Sequence, residues 1–127
     1  MGALNWLAVY ARLDLIFAVS YLCQFLQKPL TRHMKMVKRV LRYLKGTIYH
    51  GVHYEAGNKA PLTGWSDADW AGDAADRRSY GGYLFKVGNG PVSARTKKQN
   101  VVALSSCESE LMSLSDTTKE AVWQIKV

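Results

Sequence analysis

Three carboxylates in the second half of the chain have a type and spacing that can do chemistry. Asp67 and Asp69, in Trp65-Ser66-Asp67-Ala68-Asp69-Trp70, project from one face of an extended segment, because side chains there alternate with period two. Glu110 comes later, in a long helical stretch, about 200° around the helix from Glu108. Glu108 has a structural use, since Ser105 followed three residues on by Glu108 is a capping box. Glu110 has no such use, and its spacing from Cys107 sets it beside the apolar stripe. Oxygen ligands of this kind either coordinate a hard cation such as Mg²⁺ or act as ordinary polar residues at a strand end. Asp73 and Asp76 beside Arg77 and Arg78 read as a solvated, self-neutralising loop. Cys23 and Cys107 with His33, His50 and His53 give neither a disulfide framework nor zinc-ligand spacing, which fits a reducing, intracellular compartment.

The elements that position these carboxylates can be outlined from periodicity. Extended segments are predicted at Leu62–Trp70, Tyr80–Val87 and Val92–Thr96, with Gly88-Asn89-Gly90-Pro91 as a hairpin loop between the last two. A long amphipathic helix follows, with Leu104, Cys107, Leu111, Leu114, Thr118, Ala121, Val122 and Ile125 as its expected buried stripe. The chain of 127 residues supports one ordinary folded domain, and a composition of 48% hydrophobic and 21% charged residues excludes low complexity. Arg12 and Asp14 split the apolar first 26 residues into runs well short of the ~18 that a membrane span needs, so this segment reads as buried helix with no membrane partner.

Charge is placed unevenly. The formal net charge is +7, yet from Glu55 onward nine basic residues balance nine acidic ones. Between Leu15 and Tyr54 there is no acidic residue, while seven basic ones occur there. Six of these, Arg32, Lys35, Lys38, Arg39, Arg42 and Lys45, fall on one arc of roughly 140° of a predicted helix, opposite Met34, Val37, Val40, Leu41 and Leu44. Thr31 is its expected N-cap and Gly46 its stop. Like charges at this spacing repel by a few tenths of a kcal/mol per pair, about what a bound polyanion would relieve. A solvated face is the plain alternative; the acid-free stretch points to nucleic acid.

A family resemblance rests on several motifs in order. Trp65–Asp73, Asp76–Ser79, Gly82-Tyr83, Lys97-Lys98-Gln99, Val102–Ser106 and Glu108-Ser109-Glu110 resemble the ribonuclease H domain of copia-type LTR retrotransposon Pol polyproteins. Leu7-Ala8-Val9, Phe17-Ala18-Val19 and Val37–Thr47 resemble the connection that precedes that domain, although Leu13 stands where the family usually has proline. The resemblance implies a mixed α/β, ribonuclease H-like fold, with a connection over residues 1–54 and an incomplete ribonuclease H-like domain over 55–127. It implies catalytic and metal-binding roles for Asp67 and Glu110, two Mg²⁺ ions in the complete site, and cleavage of the RNA strand of an RNA/DNA hybrid. Lys97 and Lys98 join the basic helix as nucleic-acid-binding candidates. The reverse transcriptase portion of Pol is an implied partner, and the cytoplasm an implied location. A third and a fourth family aspartate would fall beyond Val127, on a strand beside that of Asp67 and on a later helix. This chain alone therefore offers half the acidic set and a bare edge on the Asp67 strand. The alternative expectation is a catalytically inactive retroelement remnant that binds nucleic acid through its basic helix.

Overall fold

A computed structural model describes residues 1–57 and 60–126, which divide into two compact units, Met1–His53 and Tyr54–Val127. The fold is mixed α/β, with four α-helices and a three-stranded antiparallel sheet among the described residues. It is compatible with a truncated ribonuclease H-like arrangement. No helix among the described residues is long and apolar enough to cross a membrane.

In the first unit, α1 (Gly2–Tyr10) is followed by a tight turn at Leu13–Leu15, α2 (Ile16–Cys23) and α3 (Thr31–Gly46). The amino-terminal segment is thus not one buried helix, because Arg12 breaks it. Its buried guanidinium forks onto Asp14 at 2.9 and 3.0 Å and also donates to the Thr47 carbonyl and hydroxyl at 3.0 and 2.8 Å. Tyr43 donates to the same carboxylate at 2.8 Å, so one ion pair ties the α1–α2 junction to the end of α3. Ala8, Leu15, Val19, Leu22 and Val40 form the core. Helices of eight or nine residues bury a single stripe, which leaves Trp6, Tyr10 and Phe17 exposed.

The N-cap of α3 is Leu30 rather than Thr31, which is the first helical residue. The ring of His33 takes the capping role: its Nδ1 accepts the Leu30 N–H at 3.1 Å, while the His33 N–H donates to the Leu30 carbonyl at 2.9 Å. Buried His33 joins Val37, Val40 and Leu44 on the inner side, whereas Met34 and Leu41 are exposed. Short α2 packs on α3, and the inner arc is narrower than the sequence suggests.

In the second unit, β1 (Thr63–Asp69), β2 (Tyr80–Val87) and β3 (Gly90–Lys98) pair in that order, and α4 (Ser106–Lys126) crosses one face. The β2–β3 connection is tighter than the expected four-residue loop. Val87 pairs with Gly90, leaving Gly88 and Asn89 as a two-residue turn, with Gly88 at φ +59° as such turns require. Pro91 enters β3 at the register shift between Phe85 and Lys86, where the ladder tolerates a residue without an N–H.

The packing face of α4 is the largest departure from expectation. The buried residues are Ser109, Ser113 and Thr117, while Leu104, Leu111, Leu114, Val122 and Ile125 are exposed, Ile125 to 77%. Small hydroxyl side chains let the helix approach the glycines of β2: a Cβ on Gly81 would sit only 3.2–3.3 Å from Ser113. Polar residues fit here because each hydroxyl has a partner. Thr117 donates to Ser66 at 2.9 Å and Ser66 to Ser113 at 3.1 Å, while Ser113 reaches the Asp67 carbonyl at 2.7 Å. The predicted cap is present. The Glu108 N–H donates to Ser105 at 3.1 Å, and the Glu108 carboxylate accepts the N–H of Leu104 at 2.6 Å.

Candidate metal and nucleic-acid sites

Strand alternation fixes the direction of each β1 side chain. Ser66 faces α4, as its hydrogen bonds show, so Asp67 and Asp69 lie on the opposite, open face and are exposed. On that face Asp67 stands across from Gly82, and Asp69 across from Tyr80, which pairs in turn with Lys98. The Asp69 carboxylate lies against Gly72, in the space that a side chain there would need, and so belongs to the turn after β1. That turn holds Ala71 at φ +53°, fixed by the Ser79 hydroxyl accepting its N–H at 3.1 Å.

Glu110 is exposed on the first turns of α4. Counting 100° per residue puts it about 60° from Ser113 and about 100° from Ser109. Its flank is opposite to that of Glu108, Met112 and Asp116, which line a cleft of 610 Å³ over β2 and β3. Glu110 therefore sits on the β1 side, and β1 is an edge strand whose outer edge is unpaired among the described residues. The two elements run in opposite directions: Ser66 meets Thr117 and Ser113, whereas Trp70 donates its indole N–H to the Ala103 carbonyl at 3.1 Å. Glu110 lies roughly 4.5 Å along the helix axis from Ser113 toward the Trp70 end. Glu110 thus lies toward the end of the layer that carries Asp67, while the Asp67 side chain stands on the face of the sheet away from α4. No hydrogen bond or ion pair joins them, and among the described residues no group of three or more His, Cys, Asp or Glu side chains gathers to hold a metal ion.

The donor set suits a hard cation in kind, both candidate groups being carboxylates. In number it suits one ion completed by water and a substrate phosphate, because Mg²⁺ commonly takes one or two protein carboxylates. A second ion has no further ligands among the described residues.

Lys97 and Lys98 differ sharply. Lys97 is exposed beside the cleft, whereas the Lys98 ammonium is engaged by Asp73 at 2.5 Å and Asp76 at 2.9 Å and lies over the Tyr80 ring. The loop is consequently not neutralised by Arg77 and Arg78 alone; Arg78 approaches Asp76 only to 3.6 Å. The Lys98 hydrogen bond holds the Asp73 and Asp76 carboxyls below the usual range. Burial pushes the Lys98 ammonium down, but its bonds to these two carboxylates outweigh that and raise it. Sequence spacing carried no sign of this pairing across β3.

In the first unit, Arg32, Lys35, Lys38, Arg39, Arg42 and Lys45 are all exposed on α3. None forms an ion pair among the described residues, and the Arg32 guanidinium lies 3.2 Å from the His33 ring. Lys35, Lys38 and Arg42 flank an open depression beside Leu41. Sequence reading passed over Gln99, which reaches inward from the end of β3: its amide donates to the Ser109 carbonyl at 2.8 Å, while its buried Oε1 has no partner among the described residues.

No family model matches the chain, and no solved structure matches it. Known proteins do. The chain is 52% identical over 123 residues to the secreted RxLR effector protein 161 of Plasmopara viticola, covering 97% of this chain and 87% of that protein. It is 43% and 44% identical, again over 97% of its length, to the retrovirus-related Pol polyproteins from transposons RE1 and RE2 of Arabidopsis thaliana. It spans 8% of the length of each of those polyproteins. With nearly the whole chain aligned in every case, it belongs to the family that joins this effector to the retrovirus-related Pol polyproteins of transposons, and corresponds to a segment of the latter.

Proposed function

We propose that the chain is a nucleic-acid-binding segment of retrotransposon Pol origin, built on part of a ribonuclease H-like unit. The observation that carries this reading is the cationic face of α3: six exposed basic residues without an acidic partner among the described residues, in a stretch without one Asp or Glu. Such a face costs repulsion at i,i+3 and i,i+4 spacing and gains by releasing counterions from a phosphate backbone. An RNA/DNA hybrid is the ligand that the family resemblance favours, the reverse transcriptase portion of Pol the neighbouring partner, and the cytoplasm the location.

Asp67 and Glu110 are the proposed carboxylates of the ribonuclease H-like site. They would hold one Mg²⁺ at the open edge of β1, where a bound ion supplies charge neutralisation at a scissile phosphate. Two carboxylates are too few for a two-ion site, so this chain alone acts as a binder and its hydrolytic activity is low. Salt titration of hybrid binding tests the binding reading. Replacing Lys35, Arg39 and Arg42 together by Glu lowers the affinity and flattens its dependence on salt; an unchanged slope moves the binding surface off α3.

A further inference from the structure

We propose that the aromatic face of α2 is a stacking surface for the bases of single-stranded nucleic acid; this rests on the reading of α3 as a phosphate-binding face. Phe17 and Tyr21 stand four residues apart on α2 with ring centroids 6.3 Å apart, and Phe25, just past the helix, meets Tyr21 at 5.1 Å. Phe25 then stacks on His33 at 4.0 Å with the planes 22° apart, and the Arg32 guanidinium Nε lies 3.2 Å from the His33 ring. The ring ladder therefore runs from the surface inward, through half-buried Tyr21 and Phe25, to buried His33 beside the first cation of the basic face. Its outer member, Phe17, is 55% exposed.

Charge selects the occupant. The ladder lies within the acid-free stretch, and Lys28 stands between Phe25 and Arg32 in sequence. An apolar protein surface would cover the rings but would leave seven cations unanswered. A single strand answers both, because its phosphates meet the cations while every base offers a π-face to an aromatic ring. A duplex keeps its bases stacked on one another and has none to offer.

The experiment compares binding of a short oligothymidylate and of an RNA/DNA hybrid by the full chain. Phe17→Ala weakens oligothymidylate binding about tenfold, as loss of one base–ring stack does, with hybrid affinity and the salt slope unchanged. Phe17→Tyr restores binding. If Phe17→Ala loses helix content, Phe17→Leu reads the same effect, since it keeps apolar packing and removes the π-face. Unaltered oligothymidylate affinity in the Ala and Leu variants overturns the ladder; a simultaneous fall in the Lys35, Arg39 and Arg42 reversal leaves the basic-face reading standing. If that reversal changes nothing either, both readings fall. A Phe17→Ala variant that alters only self-association in sedimentation makes the face a protein contact and also overturns the proposal.

Discussion

The Ser113 hydroxyl donates to the backbone carbonyl of Asp67 at 2.7 Å, so the strand that carries the first candidate carboxylate is pinned to α4 through its main chain while its side chain stays on the open face. Ser113 is 5% exposed, and its oxygen also lies 3.1 Å from Ser66 and 3.3 Å from the Gly82 carbonyl. The hydroxyl thus does for β1 and β2 what apolar side chains do for most helix–sheet pairs.

Ser113→Ala should lose about 0.5–1.5 kcal/mol, the net worth of a hydrogen bond, plus some cost for the unpaired carbonyls. Ser113→Leu should lose at least as much again, about 1–3 kcal/mol from overpacking, because Gly81 already closes the space beside it. Urea unfolding ranks the two variants. A Leu variant as stable as the Ala variant would show that α4 does not sit against the glycines.

Leu114→Gln, by contrast, should change stability by no more than about 0.5 kcal/mol and improve solubility. Leu114 belongs to the stripe that periodicity assigns to the core, yet it is 52% exposed. Loss of more than about 2 kcal/mol, the scale of removing a buried leucine, would restore the apolar stripe as the packed one.

These two positions show why the second unit was only partly legible in sequence. Strand positions, the hairpin that joins Tyr80–Val87 to the next strand and the Ser105–Glu108 cap follow from local chemistry, and local chemistry is readable. The buried face of α4 is decided elsewhere, by Gly81 admitting only small residues, so a helix with both an apolar and a hydroxyl stripe is misread by hydrophobicity alone. His33 is similar, since histidine as a capping acceptor and inner residue has no signature in spacing. For the candidate site, β alternation put Asp67 and Asp69 on one face correctly, but the Asp73–Lys98–Asp76 cluster depends on β3 register and on the turn after β1.

Acid should probe that cluster with a definite sign. The Asp73 carboxyl is held below its unfolded value by Lys98, so its contribution is present above an unfolded pKa of about 3.9 and is lost as pH falls through the lower folded value. Asp73→Asn should lower stability near neutrality by roughly 1–2 kcal/mol, since the pair is mostly shielded from solvent. The difference from the parent chain should shrink below about pH 4. Thermal unfolding at several pH values measures it, and a difference independent of pH would assign the loss to something other than the carboxylate charge.

The isolated chain should hydrolyse an RNA/DNA hybrid in Mg²⁺ barely above background. Asp67 and Glu110 suffice for one ion with water and phosphate, whereas a two-ion displacement must hold both the attacking and the leaving oxygen. Loss of one preorganised charge-stabilising group commonly costs about 10²- to 10³-fold, and here the ligands of a whole ion are wanting among the described residues. The edge of β1, unpaired among the described residues, compounds this, because an edge strand with Asp67 on it is free to pair with other chains. A longer Pol segment that supplies further carboxylates and covers the edge should cleave, and Asp67→Asn or Glu110→Gln in it should abolish cleavage with hybrid affinity little changed. Clear Mg²⁺-dependent cleavage by residues 1–127, lost in Asp67→Asn, would instead mean that Asp69, Asp73 or a second copy of the chain completes the site.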